Sequence, residues 1–215
     1  MRELLEQAVS QMTSTTSYDS RLKVEPWDYS IMEPLTQTGQ PNSFLLIVGE
    51  DYLNEVQRHA CYYAAKQRKR CWYLCLESTP MLNMLSMLNL ASGVPRRNLL
   101  DLKVPPPYFG ALNDGAAELY KADCRFSVAP PADLASIVSL AKQLRSEGIE
   151  VLLVDALHRI EFGKGRASTS TEQRWVAQAL RAVAHASELT VIAGFHRLGD
   201  PFADLPSDST FFCEP

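Results

Sequence analysis

The sequence predicts an α/β protein with a doubly wound, mainly parallel β-sheet and helices on both faces. From Ser43 onward, short apolar runs alternate with helical patterns of about 12 to 18 residues. The runs are almost continuously apolar, which is typical of strands covered on both faces. The chain has 215 residues, 46% of them hydrophobic, enough for one domain with a sizeable core.

Five strands and five helices are predicted in alternating order. The strands are FLLIV (44–48), CWYLCL (71–76), RFSVA (125–129), the apolar start of VLLVDALHRI (151–160) and TVIAGF (190–195). The helices run from the first strand's loop to about 70, then over 79–93, 110–122, 132–148 and 172–189. We assign residues 1–42 to an N-terminal helix and extended arm, 43–200 to the domain, and 201–215 to a tail.

Polar residues follow four of the predicted strands. They form the stretches Gly49–Glu55, Glu77–Ser78, Asp155–His158 and Phe195–Arg197. Ligand sites of parallel sheets lie beyond the carboxyl ends of the strands. We therefore expect these four stretches to converge.

The stretch VGEDYLNEV (48–56) has the layout of a phosphate-binding loop without its chemistry. Such a loop reads G-x-x-x-x-G-K-[ST], but the last three positions here are Asn54, Glu55 and Val56. Asn54 adds a side chain where the backbone would wrap a phosphate, and Val56 has no oxygen for Mg²⁺. A carboxylate about 4 Å from a phosphate is repelled by roughly 4 kcal/mol at an effective dielectric of 20. The sequence therefore predicts that this loop does not bind phosphate and that the protein has no nucleotide cofactor, although Gly49 is retained.

The ordered motifs resemble the RecA-like ATPase core, most closely the motor domain of DnaB-type replicative helicases. The similarity covers roughly residues 40–200: VGEDYLNEV matches the Walker A loop, CLES the "SLE" element, VLLVD the Walker B strand, and VIAGFHRL the sensor strand. The resemblance implies that Glu77 is the counterpart of the glutamate that polarises the attacking water. It implies that Asp155 is the counterpart of the Walker B aspartate.

Without a phosphate loop, we interpret Glu77 and Asp155 as vestigial rather than catalytic. Structural caps at the strand ends, or an acidic pocket, are the preferred roles. A metal site joining Asp155 to His158 and His196 is a less favoured alternative, and no metal is predicted. The five cysteines have neither disulfide nor metal-ligand spacing, so buried reduced thiols are predicted, with Cys71 and Cys75 on one side of their strand.

Charge and hydropathy bound the possible partners. The net charge is −4, which disfavours a general polyanion binder. Two local groups are basic: residues 66–70, and the loop residues Lys164 and Arg166. For the first group, the preferred interpretation is that the cations lie at a helix C-terminus and complement the helix dipole. Neither a membrane span nor a signal peptide is recognised, so a cytoplasmic location is expected.

The sequence favours a catalytically inactive RecA-like domain, a pseudo-ATPase, that regulates or inhibits a protein partner. RecA-like domains assemble side by side, so the expected partner is a hexameric RecA-fold ATPase such as a helicase or a conjugation or secretion motor. Fertility-inhibition proteins of conjugative plasmids are one class of this size. Candidate partner-binding residues are Trp27, Ile31, Lys164, Arg166, His196 and Arg197.

Two alternatives remain at the level of sequence. One is a divergent ATPase or helicase accessory protein that takes its phosphate contacts from elsewhere, for example from Arg197. The other is a DNA-binding module that uses residues 66–70 and 163–166. Binding by such a module would weaken steeply with salt.

Overall fold

A computed structural model of the chain describes residues 43–49, 53–128, 133–160, 170–196 and 209–213. Its centre is a six-stranded sheet of order β3-β2-β4-β5-β1-β6 in which every pairing is parallel. The strands are β1 (Phe44–Gly49), β2 (Cys71–Cys75), β3 (Cys124–Val128), β4 (Val151–Val154), β5 (Thr190–His196) and β6 (Ser209–Cys213). The predicted parallel α/β fold is confirmed.

Strand β6 is the element that the sequence pattern did not reveal. It lies in the segment 201–215, which the sequence analysis treated as a tail, and it pairs with β1 in parallel register from Leu45↔Ser209 to Gly49↔Cys213. The run STFFC is short and follows a stretch rich in proline and aspartate. Such a run gives too little periodicity to identify a strand before its partner is known.

Six α-helices connect or flank the strands within the described ranges. They are α1 (Leu53–Lys66), α2 (Pro80–Ser92), α3 (Arg96–Leu100), α4 (Phe109–Lys121), α5 (Leu134–Ser146) and α6 (Ser170–Ser187). The short helix α3 had not been separated from the loop after α2. Among the described residues, no helix has the length and apolar character needed to cross a membrane.

Local sequence explains where helix α2 begins and ends. The Thr79 side chain accepts a hydrogen bond from the backbone N–H of Leu82, and Pro80 occupies the first turn, where its missing N–H costs nothing. Gly93 follows the helix with φ of 67°, a left-handed conformation that glycine adopts without strain. The helix thus begins where the sequence predicted and stops at its glycine.

The sheet separates two apolar cores. On one face, side chains of β1, β2 and β4 pack with helices α1, α2 and α4; on the other face they pack with α5 and α6. Met84 and Met87 of α2 are fully buried, as expected of methionines that fill a core. Cys71 and Cys75 belong to the same core, which confirms that they lie on one side of β2.

The four cysteines with described side chains, Cys61, Cys71, Cys75 and Cys124, are free and buried. The Sγ atoms of Cys61 and Cys124 are 3.3 Å apart. Burial raises the pKa of the Cys75 thiol from 9.0 to about 12. Thiolate is the reactive form, so such thiols are inert in the native fold.

We predict that a Cys213→Ser variant does not react with a thiol reagent at pH 8 until it is unfolded, when four thiols titrate. The folded pKa of Cys75 exceeds the unfolded pKa, so its contribution to stability is complete below about pH 9 and is lost as pH rises toward 12. Urea unfolding from pH 8 to 11 measures this loss, and Cys75→Ala in the same background should reduce the slope. Fast labelling of native protein would contradict the burial argument.

Candidate functional site

Asp155 lies directly after β4, at the carboxyl edge of the sheet, and is fully buried. Its Oδ1 accepts hydrogen bonds from the backbone N–H groups of Leu76 (2.6 Å) and Glu77 (3.2 Å). Its Oδ2 accepts from the N–H (2.8 Å) and the hydroxyl (2.5 Å) of Ser78. A carboxylate offers about four lone-pair positions. The backbone N–H groups of residues 76–78 and the Ser78 hydroxyl therefore occupy the acceptor positions of the Asp155 carboxylate.

A buried polar relay continues from this carboxylate into the helices. The Ser78 hydroxyl donates to Asp155 and accepts from Nδ2 of Asn83 at 2.7 Å, on α2. The Asn83 Oδ1 accepts from Nε of Arg58 at 2.9 Å, on α1. The four residues, Arg58, Asn83, Ser78 and Asp155, are called the polar relay below. The relay connects α1, α2 and β4 through satisfied groups, which fixes their relative positions.

Glu77 contacts two side chains of the turn that follows Asp155. Its Oε1 lies 3.0 Å from Nη2 of Arg159, and its Oε2 lies 3.8 Å from Nε2 of His158. Both side chains belong to a 3₁₀ turn at Leu157–Arg159. The His158 ring also meets the ring of Phe195 edge-on, with centroids 6.2 Å apart. Glu77 thus ties the end of β2 to the end of β4.

The degenerate loop leads into α1, which begins at Leu53. Asn54 is in the first turn, and the side chain of Val56 is buried in the core that α1 shares with the sheet. The side chain of Glu55 lies outside the described part of the structure. Val56 thus occupies an apolar environment, and it supplies no oxygen where Mg²⁺ would need one.

Helix α1 also approaches the strand ends closely. Nε2 of Gln57 donates to the backbone oxygen of Val154 at 2.9 Å. Among the described residues, Oε1 of Gln57 and Oδ1 of Asn54 are buried without a hydrogen-bond partner. A Cβ placed on Gly194 of β5 would overlap Gln57 Nε2 and lie 2.6 Å from the backbone oxygen of Asp155. Gly194 therefore leaves the space that lets α1 dock on the sheet.

Gly194→Ala should lower the free energy of unfolding by about 2 kcal/mol, because the methyl group displaces Gln57 or the backbone at Asp155. Urea unfolding measures the change. Gly110→Ala is the matched control, since a Cβ at Gly110 of α4 has no atom within 4 Å and alanine is the better helix former. If both substitutions leave stability unchanged or raise it, Gly194 does not have the role described.

Side-chain contacts join three of the four stretches expected to converge. The stretch at Glu77 contacts Asp155 and His158, and His158 contacts Phe195. For the fourth stretch, the strand register places Gly49 opposite His196. The side chain of His196 is not described. The other predicted partner-binding residues lie outside the described residues: Trp27, Ile31, Lys164, Arg166 and Arg197.

Among the described side chains, no group of three or more His, Cys, Asp and Glu residues is placed to hold a metal ion. The side chain of His196, a member of the alternative metal site, lies outside the described part of the structure. In the basic cluster that ends α1, Arg70 pairs with Asp123 at 2.7 Å and Lys69 with Glu150 at 3.9 Å. Burial would raise the pKa of Asp123, but the arginines beside it hold that pKa below its usual value. These ion pairs neutralise part of the predicted cluster.

Sequence reasoning missed the residues that complete the polar relay and its surroundings. They are Arg58, Gln57, Asn83 and Gly194, and Ser78 was noted only as the end of a strand. One signal was available: Asn83 is an amide in the largely apolar stretch PMLNMLSML, whose other polar residue is Ser86. A buried amide needs partners, so its position indicated a hydrogen-bond network. The identity of those partners depends on tertiary contacts.

Comparisons with known proteins place the fold. No protein-family profile and no curated protein sequence matches the chain. Among solved structures, a DnaB-like replicative helicase described together with its interactions with primase matches with a TM-score of 0.68 and 14% identity, over 89% of this chain and 48% of the helicase. A second structure, an ATPase domain, matches with a TM-score of 0.68 and 15% identity, over 90% of this chain and 70% of that one.

The fold is therefore RecA-like and close to that of DnaB-type helicase ATPase domains, as the order of motifs predicted. This chain spans about half the length of the helicase it resembles. Identities near 15% establish the likeness of the fold and leave activity to be argued from the site.

Proposed function

We propose that this chain is a pseudo-ATPase, a RecA-like domain without nucleotide chemistry that regulates or inhibits a protein partner. The expected partner is a hexameric RecA-fold ATPase such as a helicase or a conjugation or secretion motor. The observation that carries the proposal is the internal bonding of Asp155. Both of its oxygens accept hydrogen bonds from residues 76–78.

A metal-binding role for Asp155 requires a free oxygen. Mg²⁺ takes carboxylate oxygens at about 2.0–2.1 Å in near-octahedral geometry. An Asp155 oxygen directed at a metal would have to leave donors of the β2 end unsatisfied in a buried position, at about 1–3 kcal/mol each. The same carboxylate thus serves as a structural anchor for the loop at Ser78.

The entry to α1 supports the same proposal by charge. Glu55 stands where a phosphate-binding lysine is needed, and Val56 is packed in the core. At the motif positions, the sequence thus offers a carboxylate in place of the cation and no side-chain oxygen in place of the metal-binding hydroxyl. The glutamate at the lysine position and the internal hydrogen bonds of Asp155 both argue against nucleotide binding. They belong to the ends of two different strands.

The fold supports a protein partner. The replicative helicase that this chain matches over 48% of the helicase's length is described together with its interactions with primase. This chain exposes Trp175 by 58% on α6, the helix that follows the segment with Lys164 and Arg166. Exposed tryptophans are frequent energetic centres of protein interfaces. Trp175 is the first position to test.

The test is binding of the purified chain to the hexameric RecA-fold ATPases of its own host or replicon, measured by biolayer interferometry and by their ATP turnover. We expect one of them to bind and to lose turnover in a saturable way. Trp175→Ala should weaken binding at least tenfold, as an interface hot spot does. Tyr120→Ala, an exposed aromatic of α4, is the matched control.

Two outcomes would overturn the proposal. One is the absence of binding to every RecA-fold ATPase tested. The other is ATP turnover by the purified chain itself that is abolished by Asp155→Asn, which would favour the divergent ATPase instead.

A further inference from the structure

A cleft of about 510 Å³ lies at the amino edge of the sheet, opposite to the carboxyl edge that holds Asp155. It opens between the last turns of α1 and α4, just before the chain enters β2 and β3. Sites for small molecules typically measure roughly 300–1,000 Å³. The cleft is therefore large enough for a whole small molecule.

The cleft combines an apolar floor with a charged rim. Tyr62, Ala65 and Leu119 line it and are buried, so they form the floor. Lys66, Arg68 and Lys121 line it and are exposed, so they form the rim. An apolar wall with a few convergent polar groups is the usual composition of a ligand site.

The two carboxylates of the lining are already engaged. Glu118 accepts a hydrogen bond from the Tyr62 hydroxyl at 3.2 Å, and Asp123 pairs with Arg70 at 2.7 Å. Within the described part of the chain, none of the three rim cations forms an ion pair. Three cations and two carboxylates give the lining a net charge of +1.

The backbone at Arg68 supplies an independent observation. Arg68 follows α1 with φ of 61°, a left-handed conformation that is unfavourable for a residue with a Cβ, and its N–H closes the helix by donating to Ala65. Leu102 and Glu188 follow helices in the same conformation. Their side chains have internal contacts, since Leu102 packs on the apolar core and Glu188 pairs with Arg145 at 2.7 Å.

The Arg68 side chain has no such contact. Within the described residues it forms no hydrogen bond or ion pair, and it borders the cleft. Glycine would close the helix there without strain. An unfavourable residue whose side chain serves no internal contact indicates a role outside the fold's own stability.

We propose that this cleft binds a small monoanionic molecule with an apolar body, of the class of aromatic or acyl carboxylates. The apolar body lies on Tyr62 and Leu119, and the carboxylate accepts charge-assisted hydrogen bonds from the Arg68 guanidinium. A net charge of +1 complements one negative charge, whereas Glu118 and Asp123 disfavour a polyanion. The cleft includes neither the degenerate loop nor Asp155, so the proposal is independent of the proposed function.

The test is titration of the purified full chain into para-trifluoromethylbenzoate, followed by fluorine NMR at constant ionic strength. We expect saturable binding with a dissociation constant on the order of 1 mM for so small a ligand. The matched control ligand is para-trifluoromethylbenzamide, which has the same shape and no charge. It should bind at least fivefold more weakly.

Three variants separate the role of Arg68 from general charge effects. Arg68→Gln keeps a side chain in the left-handed conformation and should weaken benzoate binding at least fivefold, with the melting temperature unchanged. Arg68→Gly should weaken binding equally but raise the melting temperature, because the relief of strain exceeds the unfolded-state entropy of glycine. Arg97→Gln removes the same charge from an exposed pair with Asp101 and should bind as the parent does.

Three results would each overturn the proposal. The first is the absence of saturable benzoate binding, and the second is equal binding of benzoate and benzamide or of the parent and Arg68→Gln. The third is displacement of the benzoate by a micromolar DNA oligonucleotide with a steep salt dependence, which would assign the cleft to a nucleic-acid surface. None of these measurements involves a RecA-fold ATPase, so they are decided separately from the proposed function.

Discussion

Asp155→Asn is expected to lower the free energy of unfolding by about 3 kcal/mol. The carboxylate is fully buried and accepts from the backbone of Leu76, Glu77 and Ser78. Asparagine replaces one acceptor oxygen with an NH₂ group, which would face donors and leave them unsatisfied. Breaking a buried network around a charge typically costs about 3–5 kcal/mol, and single hydrogen bonds to a charge about 1.5–3 kcal/mol. Urea unfolding at pH 7 measures the effect.

The control for this prediction is Asp114→Asn, which removes a carboxylate from the exposed side of α4. It should change stability by less than about 0.5 kcal/mol, as surface substitutions usually do. Ser78→Ala should show part of the Asp155→Asn loss, because the hydroxyl bonds Asp155 and Asn83 together. A stable Asp155→Asn protein would mean that the loop after β2 does not depend on this carboxylate.

The second large effect concerns nucleotide affinity. The natural sequence should show no saturable binding of a fluorescent ATP analogue with Mg²⁺ up to about 1 mM. Glu55→Lys should give measurable binding, at least tenfold tighter, and Glu55→Gln, which removes the repulsion without adding a cation, should fall between the two. The physical reason is that a carboxylate and a lysine differ in sign at the phosphate position, where each interaction amounts to roughly 4 kcal/mol at 4 Å. Equilibrium fluorescence anisotropy with competition by unlabelled ATP makes the measurement.

Full restoration is not expected from Glu55→Lys alone. Val56 remains packed in the core, and Asp155 remains bonded to the loop at Ser78, so neither residue supplies the metal with an oxygen. Micromolar binding by the natural sequence, displaced by ATP, would contradict the pseudo-ATPase proposal directly. Equal, absent binding by all three proteins would show that the charge at Glu55 is not what limits affinity.

Local sequence determined the strands and helices for physical reasons that act within a few residues. FLLIV and VLLV are apolar throughout, so they form strands covered on both faces. Thr79, Pro80 and Gly93 delimit α2 through its caps. The ordered motifs were enough to identify the RecA-like fold, which the solved structures confirm. Strand β6 was not predicted, because only its pairing with β1 identifies it as a strand.

The sequence also showed the sign of the charge at the phosphate-binding position. Glu55 in place of a lysine predicts the loss of phosphate binding whatever the detailed geometry, because the sign of a Coulomb interaction does not depend on packing. The same sequence could not say whether Asp155 faces an open site or an internal one. Both roles place an aspartate after an apolar strand.

Only the tertiary structure decided how the carboxyl edge is used. Asp155 meets Ser78 across 77 positions of sequence, Gln57 meets Val154 across 97, and Gly194 makes room for that contact. Such contacts depend on the folded arrangement of three strands and two helices, so neither residue type nor local periodicity reveals them. The sequence by itself determined the elements, their order and the missing cation, since these depend on local hydropathy and charge. The internal satisfaction of Asp155 depended on the fold, because a carboxylate becomes an anchor only when distant donors surround it.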